Sequence, residues 1–355
     1  MAILDRYIIR EVGAILLFGI ALFTLILTVN HIFFLARFAA ADDVGFAVVA
    51  RLLLLRIPYF LAFSLPMAML LGTLLTFGRL SDRNEVVAMR TSGISLIRVA
   101  VPVLAGGLFV SLGGIALNEW VVPLAEERYR TEFLQAQSRS LAPQGYLLFR
   151  EQDGGRVSVY YARSVAADGE SMEGLTANQF EGNRLVRVIE AARARYGPDG
   201  WKLEDGTIHL FGGPQLVQVR FQRIDAGIRR TPQDILIGRK DPSEMTIAEL
   251  RAYMGILHRT GESIARYLVW LHSRLALPAS SLVFALLAVP LGLRPHRSGP
   301  SIGLGLTIVT LLVYYLLMNT TLALGQSGRL PPSLAAWSPN LLIGAVGGYL
   351  LWRAR

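Results

Sequence analysis

Six long apolar stretches interrupt the polar positions of this chain: Ala14–Leu35, Leu52–Phe77, Val99–Val122, Leu268–Leu293, Ile302–Leu324 and Leu334–Trp352. Each is longer than the roughly 18 apolar residues that mark a membrane-crossing helix. The fourth and sixth carry prolines, which spanning helices tolerate where neighbours re-satisfy the freed carbonyls. Between the third and fourth lies a long polar insert, Pro123–Tyr267. The pattern predicts an α-helical polytopic membrane protein with an inserted soluble domain. Residues 1–122 carry three spans, 123–267 the insert, and 268–355 three more spans. No short-period repeat is visible, and the two halves do not look alike.

Inside the insert the period changes. Residues 145–225 alternate and turn, as half-buried strands do. GYLLFRE, QDGG and RVSVYYAR read as a hairpin; LTANQFE and RLVRVIEAARARY form a second around Gly182-Asn183. GPDG at 197–200 leads into WKLEDGTIHLF, and LVQVRFQRI follows GGP. Turn signals at this spacing predict an all-β sandwich or open barrel. Residues 246–266 read as helical and lead back to the membrane. The alternating Val, Tyr, Phe and Leu have two readings. They form a plain core, or their inner face is an apolar groove for a lipid.

Composition agrees with the spans: 53% of residues are hydrophobic and the mean hydropathy is +0.44. There is no cysteine, so thiol catalysis is excluded and the insert must hold together through its own core. The net charge of +9 is carried almost wholly by arginine, since Lys202 and Lys240 are the only lysines. These cations are spread over loop ends without a dense basic block, which speaks against nucleic-acid binding. Their distribution sets the orientation, because short cytoplasmic loops collect arginine. Arg6, Arg10, Arg79, Arg83, Arg90, Arg98, Arg294, Arg297, Arg353 and Arg355 fall on one side; Arg37, Arg51 and Arg329 fall on the other. Both termini and residues 78–95 are therefore expected in the cytoplasm, and the insert in the periplasm of a double-membrane bacterium. The first span is too long for a signal-peptide core of about 7–15 residues, although Ala39-Ala40-Ala41 faintly resembles a cleavage site.

Catalytic motifs are missing. Neither lysine sits in GxxxxGK[ST], so the chain does not hydrolyse ATP by a phosphate loop. HExxH is absent, and His31, His209, His258, His272 and His296 lack metal-ligand spacing. His31 lies beside Asn30 within the first span, a polar pair expected to face a protein interior. Ser64, Ser280 and Ser281 lie in spans without an evident base. No metal or cofactor is expected on this chain, and it is not read as an enzyme.

The connector between the second and third spans is more informative: GRLSDRNEVVAMRTSGIS, residues 78–95. Asp82 and Glu85 stand three apart, like an N-cap and its reciprocal carboxylate. Val86, Val87 and Met89 follow as an apolar patch, and Ser92-Gly93 is a helix stop. On pattern alone this is either a capped turn on the membrane surface or a rigid helix that inserts into a soluble motor.

Longer stretches carry a resemblance. PMAMLLGTLLTFGRLSDRNEVVAMRTSGIS (66–95), NEWVVP (118–123), HSRLALPASSLVFALLAVPLGLRPHRSG (272–299) and GRLPPSLAAWSPN (328–340) occur in order. With RYIIRE at 6–11 and PNLL at 339–342, they make the chain resemble the lipopolysaccharide-export permeases of the Lpt type, the YjgP/YjgQ family. The resemblance implies six spans with a jelly-roll-like periplasmic domain. It implies a second, related permease, a dimer of cytoplasmic ABC ATPases that binds the ATP and magnesium, and a periplasmic bridge protein. Lipopolysaccharide would be drawn from the inner membrane and passed to that bridge. The segment 82–93 then corresponds to the coupling helix, with Asp82, Glu85, Val86, Met89, Arg90 and Gly93 as ATPase-coupling candidates. Basic residues near the outer ends of the first three spans hold lipid phosphates in that family, and the candidates here are Arg37, Arg51, Arg56 and Arg130. Snorkelling arginines that only mark the interface are the bland reading of Arg37 and Arg51. Arg56 lies deeper, where a charge usually has a partner. The chain lacks the lysines that some members place near the first span, which leaves another anionic glycolipid open as substrate. Rival readings are an ABC permease of the lipoprotein-release or mechanotransmission kind, and a non-transporting envelope receptor or scaffold.

Overall fold

The computed structural model describes residues 2–42, 44–137, 147–153, 155–166, 168–182, 184–211, 217–238, 240–242, 244–293 and 300–354. Two compact units are present, residues 1–132 with 268–355, and residues 133–267.

Among the described residues, six helices are long and apolar enough to cross a membrane, matching the six apolar stretches with polar extensions at their ends, and they lie in the first unit apart from the ends of two of them. They are α1 (Ala2–Asp42), α2 (Phe46–Asp82), α4 (Leu96–Ala116) continuing into α5 (Val122–Gln137), α8 (Ala265–Gly292), α9 (Pro300–Gln326) and α10 (Pro332–Arg353). Between α2 and α4 lies the short α3 (Glu85–Thr91), and between α4 and α5 a single π-helical turn, Leu117–Val121. Small residues bring the helices close, as expected where lipid supplies no hydrophobic drive for association. A Cβ on Gly19 would come within 3.1 Å of Ala68, and one on Gly107 within 3.0 Å of Ala285. Ile8 and Val12 of α1, Phe77 of α2, Val99 and Val103 of α4, and Val289 of α8 share one core. Phe284 and Tyr314 centre a second. There the Tyr314 hydroxyl donates to Asn340 at 2.9 Å, and the Asn340 amide donates to the Ala276 carbonyl at 2.6 Å. The buried amide thus bridges two helices.

Among the described residues of the second unit, six strands form one antiparallel sheet: β1 (Leu147–Asp153), β2 (Arg156–Val165), β3 (Ser171–Glu181), β4 (Arg184–Gly197), β5 (Gly200–Leu210) and β6 (Val217–Asp225). Gly182 at φ +61° and Gly200 at φ +104° turn two of the expected hairpins. Gly154, Asn183 and the GGP turn at 212–214 lie outside the described residues. The inserted domain is β-rich, as the alternation predicts. Its strand order is a plain meander, β1 to β6, and the crossover of a jelly roll does not occur among the described strands. Sandwich, jelly roll and meander share the same alternation, and the short connections here favour pairing of sequence neighbours.

Register divides the sheet faces. Phe149, Tyr160, Ala177, Ile189 and Ile208 oppose one another in one cross-strand row, and Leu147, Ala162, Leu175 and Ala191 in the next. The Phe149 and Tyr160 rings stack at 4.8 Å and are buried, so at these positions the alternation is core. On the same face Leu210, Val217 and Val219 are 37–51% exposed, so the apolar surface lies open along β5 and β6. Glu173, Arg193, Glu204 and Arg223 oppose one another on the other face, alternating in sign. Opposite charges in register stabilise a solvated face.

One buried cation ties this unit together. Arg230 is 3% exposed and pairs with Glu262, lies 3.9 Å from Glu151, and donates to the Arg150 carbonyl. Its guanidinium sits 5.0 Å over the Phe149 ring. Burial pushes the Glu151 and Glu262 carboxyls up despite that cation. Two helices follow the sheet, α6 (Pro232–Gly238) and α7 (Ile247–Arg259). The second opens on a full capping box between Thr246 and Glu249.

Candidate functional site

Two regions hold the predicted site residues. The first is α3. Asp82 does not cap it: α2 runs through Asp82, and an N-cap needs a non-helical backbone. The N-cap is Asn84 at φ +55°, a left-handed conformation that asparagine tolerates better than most residues. The expected Asp82–Glu85 capping pair is therefore replaced by a two-residue turn at Arg83-Asn84. The stop at Ser92-Gly93 is present. Gly93 has φ +83°, its amide bonds to the Arg90 carbonyl, and the Ile94 amide bonds to Met89. That pair of bonds closes the helix in the Schellman manner.

Glu85 is bonded within the chain. Its carboxylate accepts the Tyr7 hydroxyl at 2.8 Å. Two further bridges leave the same end of α1: Glu11 pairs with Arg79 of α2, and Asp5 takes both Nη atoms of Arg98 of α4 at 2.6 Å. Val86 is buried, and Met89 packs against the core that holds Ile8 and Val12. The face left open is Asn84, Val87, Ala88 and Thr91, a helical row at i, i+3, i+4 and i+7. Arg83 and Arg90 flank it. Of the predicted set, Asp82, Arg90 and Gly93 are exposed, whereas Glu85, Val86 and Met89 turn to the bundle. Tyr7 was missed because nothing local links it to a residue 78 positions away.

The second region is around Arg56. Its guanidinium pairs with Glu126, which is 3% exposed, and lies between the rings of Tyr59 and Tyr129 at 4.6 and 5.0 Å. The Tyr129 hydroxyl and His31 Nε2 are 3.3 Å apart, so His31 faces the protein interior as expected, whereas its neighbour Asn30 is exposed. Arg51 is 3.7 Å from Glu132 and two-thirds exposed. Arg130 is half-buried on α5, one turn beyond Glu126. Arg37 is exposed and donates to the Phe33 carbonyl one turn back on α1. Packing of α5 against α2 thus brings Arg51 and Arg56 each to a carboxylate. Glu126 was missed, although a charge beside an apolar run asks for a partner. Among the described residues no group of His, Asp and Glu could hold a metal ion.

With this geometry in place, similarity to known proteins is informative. Residues 6–353 match the family described as lipopolysaccharide export system permease LptF/LptG. The lipopolysaccharide export system permease protein LptG of Escherichia coli is 27% identical over 366 residues, covering 99% of this chain and 98% of the relative. LptG of Haemophilus influenzae is 25% identical, with 99% of each chain covered. LptF of Escherichia coli is 24% identical, covering 99% of this chain and 95% of the relative. The chain is similar to both kinds of permease.

Proposed function

The chain belongs to the lipopolysaccharide export system permease LptF/LptG family, and on that premise we propose that it is the permease subunit of an ATP-driven exporter of lipopolysaccharide or a similar anionic glycolipid. It sits in the inner membrane with both termini in the cytoplasm and the β unit in the periplasm. A second related permease completes the translocation path. A cytoplasmic ATPase dimer supplies the energy that this chain, lacking a phosphate loop, does not. The β unit hands lipid to a periplasmic bridge protein.

The observation that carries this reading is the state of α3. The Tyr7–Glu85 bond, the buried Val86 and the packed Met89 fix it to the bundle, while the Asn84–Thr91 row is left uncovered. The same end of α1 holds α2 through Glu11–Arg79 and α4 through Asp5–Arg98, so a force on that row passes through Tyr7 to α1 and from there to α2 and α4. Docking is therefore assigned to Asn84, Val87, Ala88 and Thr91, with Arg83 and Arg90 at the rim. Glu85 keeps a coupling role through Tyr7. Arg37, Arg51 and Arg130 are the headgroup contacts, and Arg56 stands behind them with its charge balanced by Glu126. The open apolar strip of Leu210, Val217 and Val219 suits acyl chains.

Val87→Asp should abolish co-purification of the ATPase while the permease inserts normally, because a charge placed at an interface centre leaves an unpaired desolvated group. Pull-down and ATP turnover in nanodiscs measure this; wild-type values would remove the docking face from α3. Orientation has its own test. A reporter fused after Gly182 should read exported and one after residue 355 cytoplasmic, and the reverse pattern would overturn the assignment of sides.

A further inference from the structure

The third span changes helix type at one place, and a buried arginine of the fourth span meets it there. α4 and α8 pack through a ladder of small residues. Gly107 lies against Ala285, the Ser111 hydroxyl accepts the Leu282 amide, and Gly114 lies against Pro278. One turn further the rung is Asn118 against Arg274, whose Nη1 donates to the Asn118 carbonyl at 2.8 Å. Arg274 is 9% exposed, and the Glu119 carboxylate lies 3.9 Å away.

The backbone explains why that carbonyl needs a side chain. In the π turn the Val122 amide bonds to the Leu117 carbonyl. The next π donor, for Asn118, would be residue 123, which is proline and has no N–H. Ordinary α geometry is disfavoured too, since the Pro123 ring would meet the Glu119 carbonyl. The wide turn relieves that clash and leaves one carbonyl without a helical donor. Away from water such a group must be satisfied by protein.

A π turn inserts one residue into the helical repeat, which rotates everything beyond it by about 100°. Extending the phase of Gly107, Ser111 and Gly114 as α-helix would bring Ala125 and Arg128 to the bundle. Instead Val122, Glu126 and Tyr129 turn inward, and Arg128 is exposed. We propose that Arg274 is a positioning residue: by holding the Pro123 turn in its π form, it sets the register in which α5 presents Glu126 and Tyr129 to Arg56 and Glu132 to Arg51. Which carboxylates of α5 face Arg51 and Arg56, and so the charge that an anionic headgroup meets there, follow from this register. That consequence rests on the headgroup reading above; the register does not.

The chain has no cysteine, so paired cysteines report the register in the full-length protein. One pair replaces His31 and Tyr129, whose rings are 5.8 Å apart; the other replaces His31 and Arg128. With a short thiol crosslinker in nanodiscs, the 31/129 pair should react and the 31/128 pair should not. Arg274→Met has no donor and should move the crosslink from 129 to 128. Arg274→Lys can still donate to a carbonyl and should keep it at 129. Pro123→Ala removes the ring that clashes in α geometry and lets residue 123 donate to the Glu119 carbonyl, so it should also shift the crosslink to 128, a second route if Arg274→Met fails to insert. An unchanged pattern in Arg274→Met and Pro123→Ala overturns the proposal. A shifted crosslink with undiminished glycolipid co-purification supports the positioning role and removes the headgroup reading instead.

Discussion

Arg230→Met should destabilise the inserted domain by about 3–5 kcal/mol, the usual cost of stripping one partner from a buried charge pair. The side chain is 3% exposed and faces Glu151, itself 5% exposed, and Glu262. Without the guanidinium both carboxylates lose their nearest cation, and the Arg150 carbonyl loses a donor. Its own carbonyl takes the Trp201 indole N–H at 2.7 Å, so the disturbance reaches β5 as well as β1. The pH dependence has a definite sign. Burial already raises the folded-state values of Glu151 and Glu262 above the ordinary 4.5. A carboxyl raised on folding contributes stability that is fully present below its unfolded value and lost as pH rises through its folded value. Acidification toward 4.5 should therefore protect the wild-type domain at these two groups, and protect Arg230→Met more. Glu151→Gln should remove its share of the slope. Hydrogen exchange of β1 and β5 in the full chain, followed across pH, measures all three. Equal protection of wild type and Arg230→Met at neutral pH would show that the cluster does not hold the domain.

Arg56→Met is the corresponding change among the spans. It leaves Glu126 buried opposite a thioether, again a loss of about 3–5 kcal/mol. Arg56→Met with Glu126→Gln should recover most of that stability, because replacing both members of a buried pair with neutral groups is often close to neutral. Tyr59 and Tyr129 lose their cation in both variants, at a cost of about 0.5–2 kcal/mol, so recovery should fall short of complete. Thermal unfolding in detergent separates the variants. Export then reports on function. A stable double variant that exports normally restricts Arg56 to holding α2 against α5. A stable double variant that does not export gives the arginine a place in the lipid path. If Arg56→Met alone is as stable as wild type, the Glu126 pairing is not a structural bond.

Features decided by local chemistry were legible in the residues alone. Each of the six spans is apolar over its own length, so each helix forms wherever its neighbours lie. The hairpin ending in Gly197–Gly200 and the helix stop at Gly93 need a left-handed backbone, which glycine adopts without strain. The arginine-rich connector was recognisable as a helix because its stop lies within its own few residues. The remainder depended on packing between distant segments. Asp82 looked like a cap by spacing, but α2 claimed it, since continuing a helix needs no new nucleus. Glu85 looked by spacing like the cap's reciprocal carboxylate, but its partner is Tyr7 from the chain's first turns. The alternating strands were legible, while their meander order was not, because alternation fixes faces and leaves partners open. Arg56 and Glu126 lie 70 residues apart, and their meeting turns on a one-residue phase shift at Pro123. Phase accumulates along a helix and can be read only against a neighbour, and for the third span that neighbour is Arg274 of the fourth.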